Sequence, residues 1–164
     1  MVTPDAVLPG QESVWDYPRP PCLEASSRRL RIVHRGVCIA DTVQGLRTLE
    51  TSHPPTWYLP PADIDMTLLR RSVQRGSFCE WKGIATYWDV VTPGEVLAGV
   101  GWSYADPTVG FARLRDHIAF YAAPFEGVFV DGERVRPQPG GFYGGWITSD
   151  LAGPFKGVPG SQFW

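Results

Sequence analysis

The stretch that decides the fold is CEWKGIATYWDVV, Cys79 to Val91, followed by TPGE, Thr92 to Glu95, and then by GVGWSYAD, Gly99 to Asp106. Both runs are rich in aromatic and β-branched residues, which suit the pleated, half-buried surface of a sheet. Pro93 and Gly94 interrupt the pattern where a turn is needed, so the segment reads as two long strands with a tight break between them. Alternation puts Cys79, Trp81 and Gly83 on one face of the first strand and Glu80 and Lys82 on the other. Ser77 to Trp88 then forms a central strand, with Cys79 and Lys82 on opposite faces unless a bulge intervenes.

Outward from this pair, LRIVHRGVCIADT, Leu30 to Thr42, alternates around Gly36 and predicts two strands with Ile32, Val37 and Ile39 facing the core. LRTLETS and TWYLP predict further short strands, separated by the extended HPP. HIAFYA and VFVDGERV complete the body, and Asp131-Gly132 is a type I′ hairpin signal. The helical candidate is ADIDMTLLRRS, Ala62 to Ser72, with Asp63 as cap and Asp65 in the first turn, for one or two turns. With 164 residues, 43% of them hydrophobic, 18 Gly and 16 Pro, the chain fits one mainly β domain. Three segments are expected: an extended Pro-rich arm over 1–28, the β body over 29–137, and a Gly/aromatic tail over 138–164 packed on the body.

A net charge of −2 and a pI near 5.9 argue against nucleic acid or a membrane surface as partner. Arg28, Arg29, Arg31 and Arg35, and separately Arg70, Arg71 and Arg75, read as solvated groups in preference to phosphate sites. The start MVTPDAVLPG has neither the charge nor the apolar run of a signal peptide, so a soluble cytoplasmic protein is expected, with Cys22, Cys38 and Cys79 as free thiols. No paired Cys or His knuckles occur, so His34, His53, His117 and Cys79 are not expected to converge on a metal, and no cofactor is expected. Asp63-Ile64-Asp65 has the carboxylate spacing of a Mg²⁺ site, yet no phosphate-binding glycine loop precedes it and capping accounts for it. Gly99-Val100-Gly101 opens no helix.

The strongest signal is aromatic density. Trp57, Tyr58, Trp81, Tyr87, Trp88, Trp102, Tyr104, Phe120 and Tyr121 all fall in predicted strands, with Glu50, Lys82, Asp89 and Ser103 as polar anchors. A bulky core and a ligand pocket with stacking walls are both compatible with that pattern. Cys79 reads as a buried thiol, or as a nucleophile if a neighbouring cation activates it.

ESVWDYPRPP, GVCIADT, LRTLETSHPPTWYLPPADIDMTLL, CEWKGIATYWDVV, GWSYADP, IAFYA and VFVDGERV, in that order, resemble the blocks of the bacterial and fungal family filed as domain of unknown function 427. GGFYGGWITSDLAGPFKGVPG resembles the tail of one of its branches, so the resemblance runs from Glu12 to about Gly160. It implies a single-domain β-tent (Mss4-like) fold: two antiparallel sheets pinned at one edge and splayed around a cleft, with one short helix. Relatives of that fold include zinc-bearing chaperones, methionine sulfoxide reductases and the ligand-binding domain of cereblon. This chain lacks the zinc knuckles, which leaves the pinned edge to packing. By analogy with cleft use in that fold, Tyr58, Tyr87, Trp102 and Tyr104 are the expected ligand-binding residues, and Cys79, Lys82 and Glu50 the candidate catalytic ones. The expected function is binding or transforming an unknown small molecule in the cleft. The alternatives are an interaction module forming a homodimer, and the nucleotidyl transfer suggested by an older label of the family.

Overall fold

The computed structural model describes residues 1–74 and 76–164, so Arg75 of the second arginine group lies outside the described residues. The chain opens with β1 (Glu12–Ser13), β2 (Cys22–Ser26), β3 (Leu30–His34), β4 (Val37–Thr42), β5 (Gly45–Leu49) and β6 (Thr56–Tyr58). Next come β7 (Leu69–Arg71), β8 (Phe78–Cys79), β9 (Gly83–Thr92), β10 (Glu95–Tyr104) and β11 (Ile118–Phe120). β12 (Gly127–Val130), β13 (Glu133–Arg134), β14 (Arg136–Pro137), β15 (Trp146–Ile147) and β16 (Leu151–Ala152) follow. The protein is mainly β, built of several antiparallel sheets where two were expected.

β2, β5 and β6 form one sheet; β13, β12, β3 and β4 a second; and β11, β10, β9 and β7 a third, with β8 also paired to β9. β1 and β16 pair in parallel, tying the N-terminal segment to the tail, and Val14, Tyr17, Leu49 and Leu151 pack around that seam. The Arg35-Gly36 turn between β3 and β4 and the Asp131-Gly132 turn between β12 and β13 have positive φ at both central residues, as type I′ hairpins require. Ile32 and Ile39 are fully buried and Val37 packs beside them.

The expected helix over 62–72 is absent. Pro61–Asp63 and Met66–Leu68 are single 3₁₀ turns, and Leu69–Arg71 pairs with Val90, Asp89 and Trp88 of β9. The cap is Asp65, which accepts from the Thr67 N–H, whereas the Asp63 carboxylate accepts the Thr42 hydroxyl at 2.6 Å. Ladder hydrogen bonds along β9 outweigh the modest helix preference of Leu68, Leu69 and Arg70.

The second correction concerns the opening stretch. Gly83 has φ +108°, a backbone state that side chains strongly disfavour, and Glu80 to Lys82 turn back so that Cys79 lies opposite Gly83. Ser77 to Trp88 is therefore a short hairpin arm leading into a central strand. Thr108 braces the turn, its N–H donating to the Lys82 carbonyl at 3.2 Å and its hydroxyl to the Trp81 carbonyl.

The sheets are stitched at two bridges, Ala40 with Ile64 and Leu59 with Ile118. The Leu59–Ile118 bridge is made by two N–H···O bonds of 2.8 and 2.9 Å and joins the edge at β6 to the edge at β11. On one side of this seam a dry core gathers Leu30, Ile32, Ile39, Trp57, Leu59, Val90, Phe120, Val128 and Trp146. On the other side the sheets leave a cleft. No helix among the described residues is long and apolar enough to cross a membrane.

Candidate functional site

Strand parity assigns the walls. Ala85 and Tyr87 of β9 and Trp102 and Tyr104 of β10 face the cleft, while Trp88 and Ser103 face away and bond each other, Trp88 Nε1–H to Ser103 Oγ at 2.9 Å. Tyr58 of β6 enters from the opposite sheet while its neighbour Trp57 goes to the dry core. The cleft measures about 360 Å³, within the range of small-molecule sites. Trp102 and Tyr121 form its densest wall, rings 4.6 Å apart.

All seven residues singled out from the sequence, Glu50, Tyr58, Cys79, Lys82, Tyr87, Trp102 and Tyr104, line this one cavity. The hairpin turn brings Lys82 Nζ to 3.8 Å from Cys79 Sγ, where a continuous strand would have separated them. Of the other expected anchors, Ser103 binds Trp88 and Asp89 holds the β10 backbone, so neither serves the cleft. The three histidines do not converge. His34 bonds Glu95 at 2.9 Å on another sheet, His117 bonds the Arg115 carbonyl, and His53 lies in the cleft. No group of three or more potential metal ligands exists among the described residues. Asp63 is spent on Thr42 and Asp65 on the turn at Thr67, and neither lines the cleft. The first arginine group is paired on the surface, Arg28 with Asp150, Arg29 and Arg31 with Asp41, and Arg35 with Glu95.

Sequence reasoning missed the floor of the site. His53, Tyr143, Gly144 and Lys156 come from a loop and from the tail, which carry no strand period. Buried Gln138 organises them. Its Oε1 accepts the Gly145 N–H at 3.0 Å, which fixes the amide so that Nε2 donates to the Lys156 carbonyl at 2.9 Å and to His53 Nδ1 at 3.0 Å. An accepting Nδ1 leaves the proton of neutral His53 on Nε2, which points toward Glu50 Oε2 at 3.6 Å. Burial, with Lys156, Arg19 and Lys82 nearby, lowers the His53 pKa to about 4, so the ring is neutral near pH 7. Burial likewise raises Tyr58 and Tyr104 well above the usual phenol value, so both are un-ionised hydroxyls near pH 7.

Among the described residues Glu50 is the one side-chain carboxylate lining the cleft, and Arg19 and His53 flank it at 3.5 and 3.6 Å. Among the described residues Lys82 has no side-chain carboxylate within ion-pair distance and lies over the Phe111 ring, whereas Lys156 lies over Tyr143 and donates at 3.0 Å to an oxygen of Trp164, the last residue of the sequence. Gly144 is required by contact, since a Cβ there would overlap the Trp102 ring.

A family model described as Domain of unknown function (DUF427) matches residues 22–135. The match takes in every sequence-predicted site residue and His53, and stops before Gln138, Tyr143 and Lys156. No curated protein matches the chain.

Proposed function

The chain belongs to the family described as Domain of unknown function (DUF427), whose description names no reaction, and we propose its function from the cleft: it binds a small planar organic anion, a ring bearing a carboxylate or similar acidic group. The observation that carries this is Lys82, an ammonium group with a thiol and a ring for company in an aromatic cavity whose Glu50 is already flanked by Arg19 and His53, with the Lys156 ammonium on the same lining. An anionic ligand supplies the counter-charge that the protein withholds, while Trp102, Tyr121 and Tyr87 offer stacking faces. If the bound molecule is transformed, Glu50 is the proton acceptor in reach and Cys79, beside Lys82, the candidate nucleophile. The β-tent assignment belongs to the same reading, supported by two sheets that meet along β6 and β11 and part around the cleft. Nucleotidyl transfer finds no support in Asp63 and Asp65, given their local bonds.

The test is a titration with benzoate and with its neutral counterpart benzamide, followed by tryptophan fluorescence, since Trp81 and Trp102 line the cavity. Saturable benzoate binding at least tenfold tighter than benzamide is expected, and the preference should vanish in a Lys82→Met, Lys156→Met double variant. Equal affinities, or no binding of either, sink the reading. A dimerisation module remains as second reading because Phe78 and Ile84 are register partners, 75% and 69% exposed. A chain that stays monomeric at high concentration in light scattering removes it.

A further inference from the structure

We infer that the ligand carries an apolar substituent, seated in a second cavity that adjoins the cleft; the inference rests on the cleft reading above. This cavity, about 260 Å³, is walled by Ala98 to Val100 of β10, by Ala122 to Pro124, and by Pro137 and the tail. Tyr121, Tyr143 and Gly144 line both cavities, so the two abut along those residues.

The wall is a built feature. Leu97 lies opposite Val90 and Gly101 opposite Trp88, so Ala98, Gly99 and Val100 together face the single residue Asp89. That bulge is held from below: buried Asp89 accepts the Gly99 N–H at 2.8 Å and Arg70 Nε–H at 3.2 Å, and these bonds keep its carboxyl below the usual range despite burial. Placing a carboxylate in the interior is costly unless its bonds are needed, and here they hold open a distortion that forms one side of the cavity. Gly99 sits at φ +63°, which favours glycine at the apex.

The lining selects an apolar occupant. Of the polar side chains on its lining, the Gln138 amide has its oxygen on Gly145 and its nitrogen on Lys156 and His53, so it has no hydrogen left for a ligand, and the Tyr121 hydroxyl donates to the Phe142 carbonyl. What remains exposed to the space is mostly alanine, proline and glycine. Between the cavities stands Tyr121, its ring packed on that of Trp102 at 4.6 Å, with its O–H donated to the Phe142 carbonyl at 3.2 Å, an exposed bond whose loss costs little where water can replace it. A ring held against Trp102 with its acid toward the lysines would then direct a substituent past Tyr121 into the second cavity.

Calorimetric titration with benzoate and 4-butylbenzoate tests this on the full chain. The butyl compound should bind at least tenfold tighter, because burying methylenes in an apolar space is favourable. Ala98→Trp, or independently Ala123→Leu, fills the second cavity from exposed positions and should abolish that gain while leaving benzoate affinity within about twofold. The inference is overturned if benzoate binds and the butyl group adds nothing, or if its gain survives both filled variants. If neither acid binds, the cleft reading falls and this inference with it.

Discussion

The dry core and the cleft lie back to back across the same strands, and they use the same aromatic residues differently. In the core the polar edges of two tryptophans are consumed within the protein: Trp146 Nε1–H donates to the Phe120 carbonyl and Trp88 Nε1–H to Ser103, both at 2.9 Å. In the cleft, cations, a neutral imidazole and a thiol are held in place without being neutralised by each other. The first arrangement couples burial to internal hydrogen bonds, whereas the second keeps interaction capacity in reserve. The sharpest way to break this comparison is Trp146→Ala. Trp146 belongs to the tail yet is 1% exposed, and its removal should cost about 3–5 kcal/mol in urea unfolding, as large aromatic truncations in cores do. A cost under about 1 kcal/mol would mean that the tail is a detachable lid and that the core ends at β13.

The next largest effect is a pH dependence confined to the cleft. Burial lowers the His53 pKa to about 4 in the folded chain against 6.5 for a free imidazole, so the unfolded chain binds a proton more readily than the folded one between those limits. Stability from this group is complete above about pH 6.5 and is lost as pH falls toward 4, by on the order of 2–3 kcal/mol. Carboxylates with lowered pKa, among them Glu12 and Asp150, also lose stability in acid, as the pH falls toward and below the ordinary carboxyl values of 4.5 and 3.8. Denaturant midpoints between about pH 5.5 and 6.5 therefore isolate the histidine, and His53→Gln should flatten that window. An unchanged slope in the variant would place the proton elsewhere and remove the case for a dry, neutral imidazole in the site.

How much of this was legible in the sequence follows the same division. Period-two alternation placed Ile32, Val37 and Ile39 toward the core, where they lie, because the sheet imposes that geometry wherever strands run straight, whereas Tyr58, Tyr87, Trp102 and Tyr104 were assigned to the cleft through the family resemblance. Alternation failed where the chain departs from a straight strand. The positive φ of Gly83 turns Cys79 and Lys82 toward each other, and the Asp89-held bulge takes Asp89 out of the cleft, so both errors arise from single backbone states that alternation does not encode. The helix over 62–72 failed for a different reason, since pairing with β9 lies far along the chain from Leu69. His53 and Lys156 lie 103 positions apart and meet through Gln138 and Tyr143; the local hint was that His53 follows Glu50 by three residues in a proline-bounded turn.

Cations sharpen the comparison last and with the smallest effect on stability. Arg47, only 11% exposed in its side chain, is paired with Glu12 at 2.6 Å and Glu24 at 2.8 Å and lies over Trp57, whereas Lys82 has a thiol and a ring for company. Arg47→Met strands two half-exposed carboxylates that water can partly recover, so a loss of about 1–3 kcal/mol is expected. Lys82→Met should shift stability by no more than about 0.5 kcal/mol in either direction, because the folded state gives the ammonium no ion pair to lose. The two substitutions should separate again in benzoate binding, with Arg47→Met neutral and Lys82→Met weaker by about tenfold. A Lys82→Met variant that unfolds as easily as Arg47→Met would show that Lys82 is a structural cation, and the cleft would then retain Lys156 as its single anion anchor.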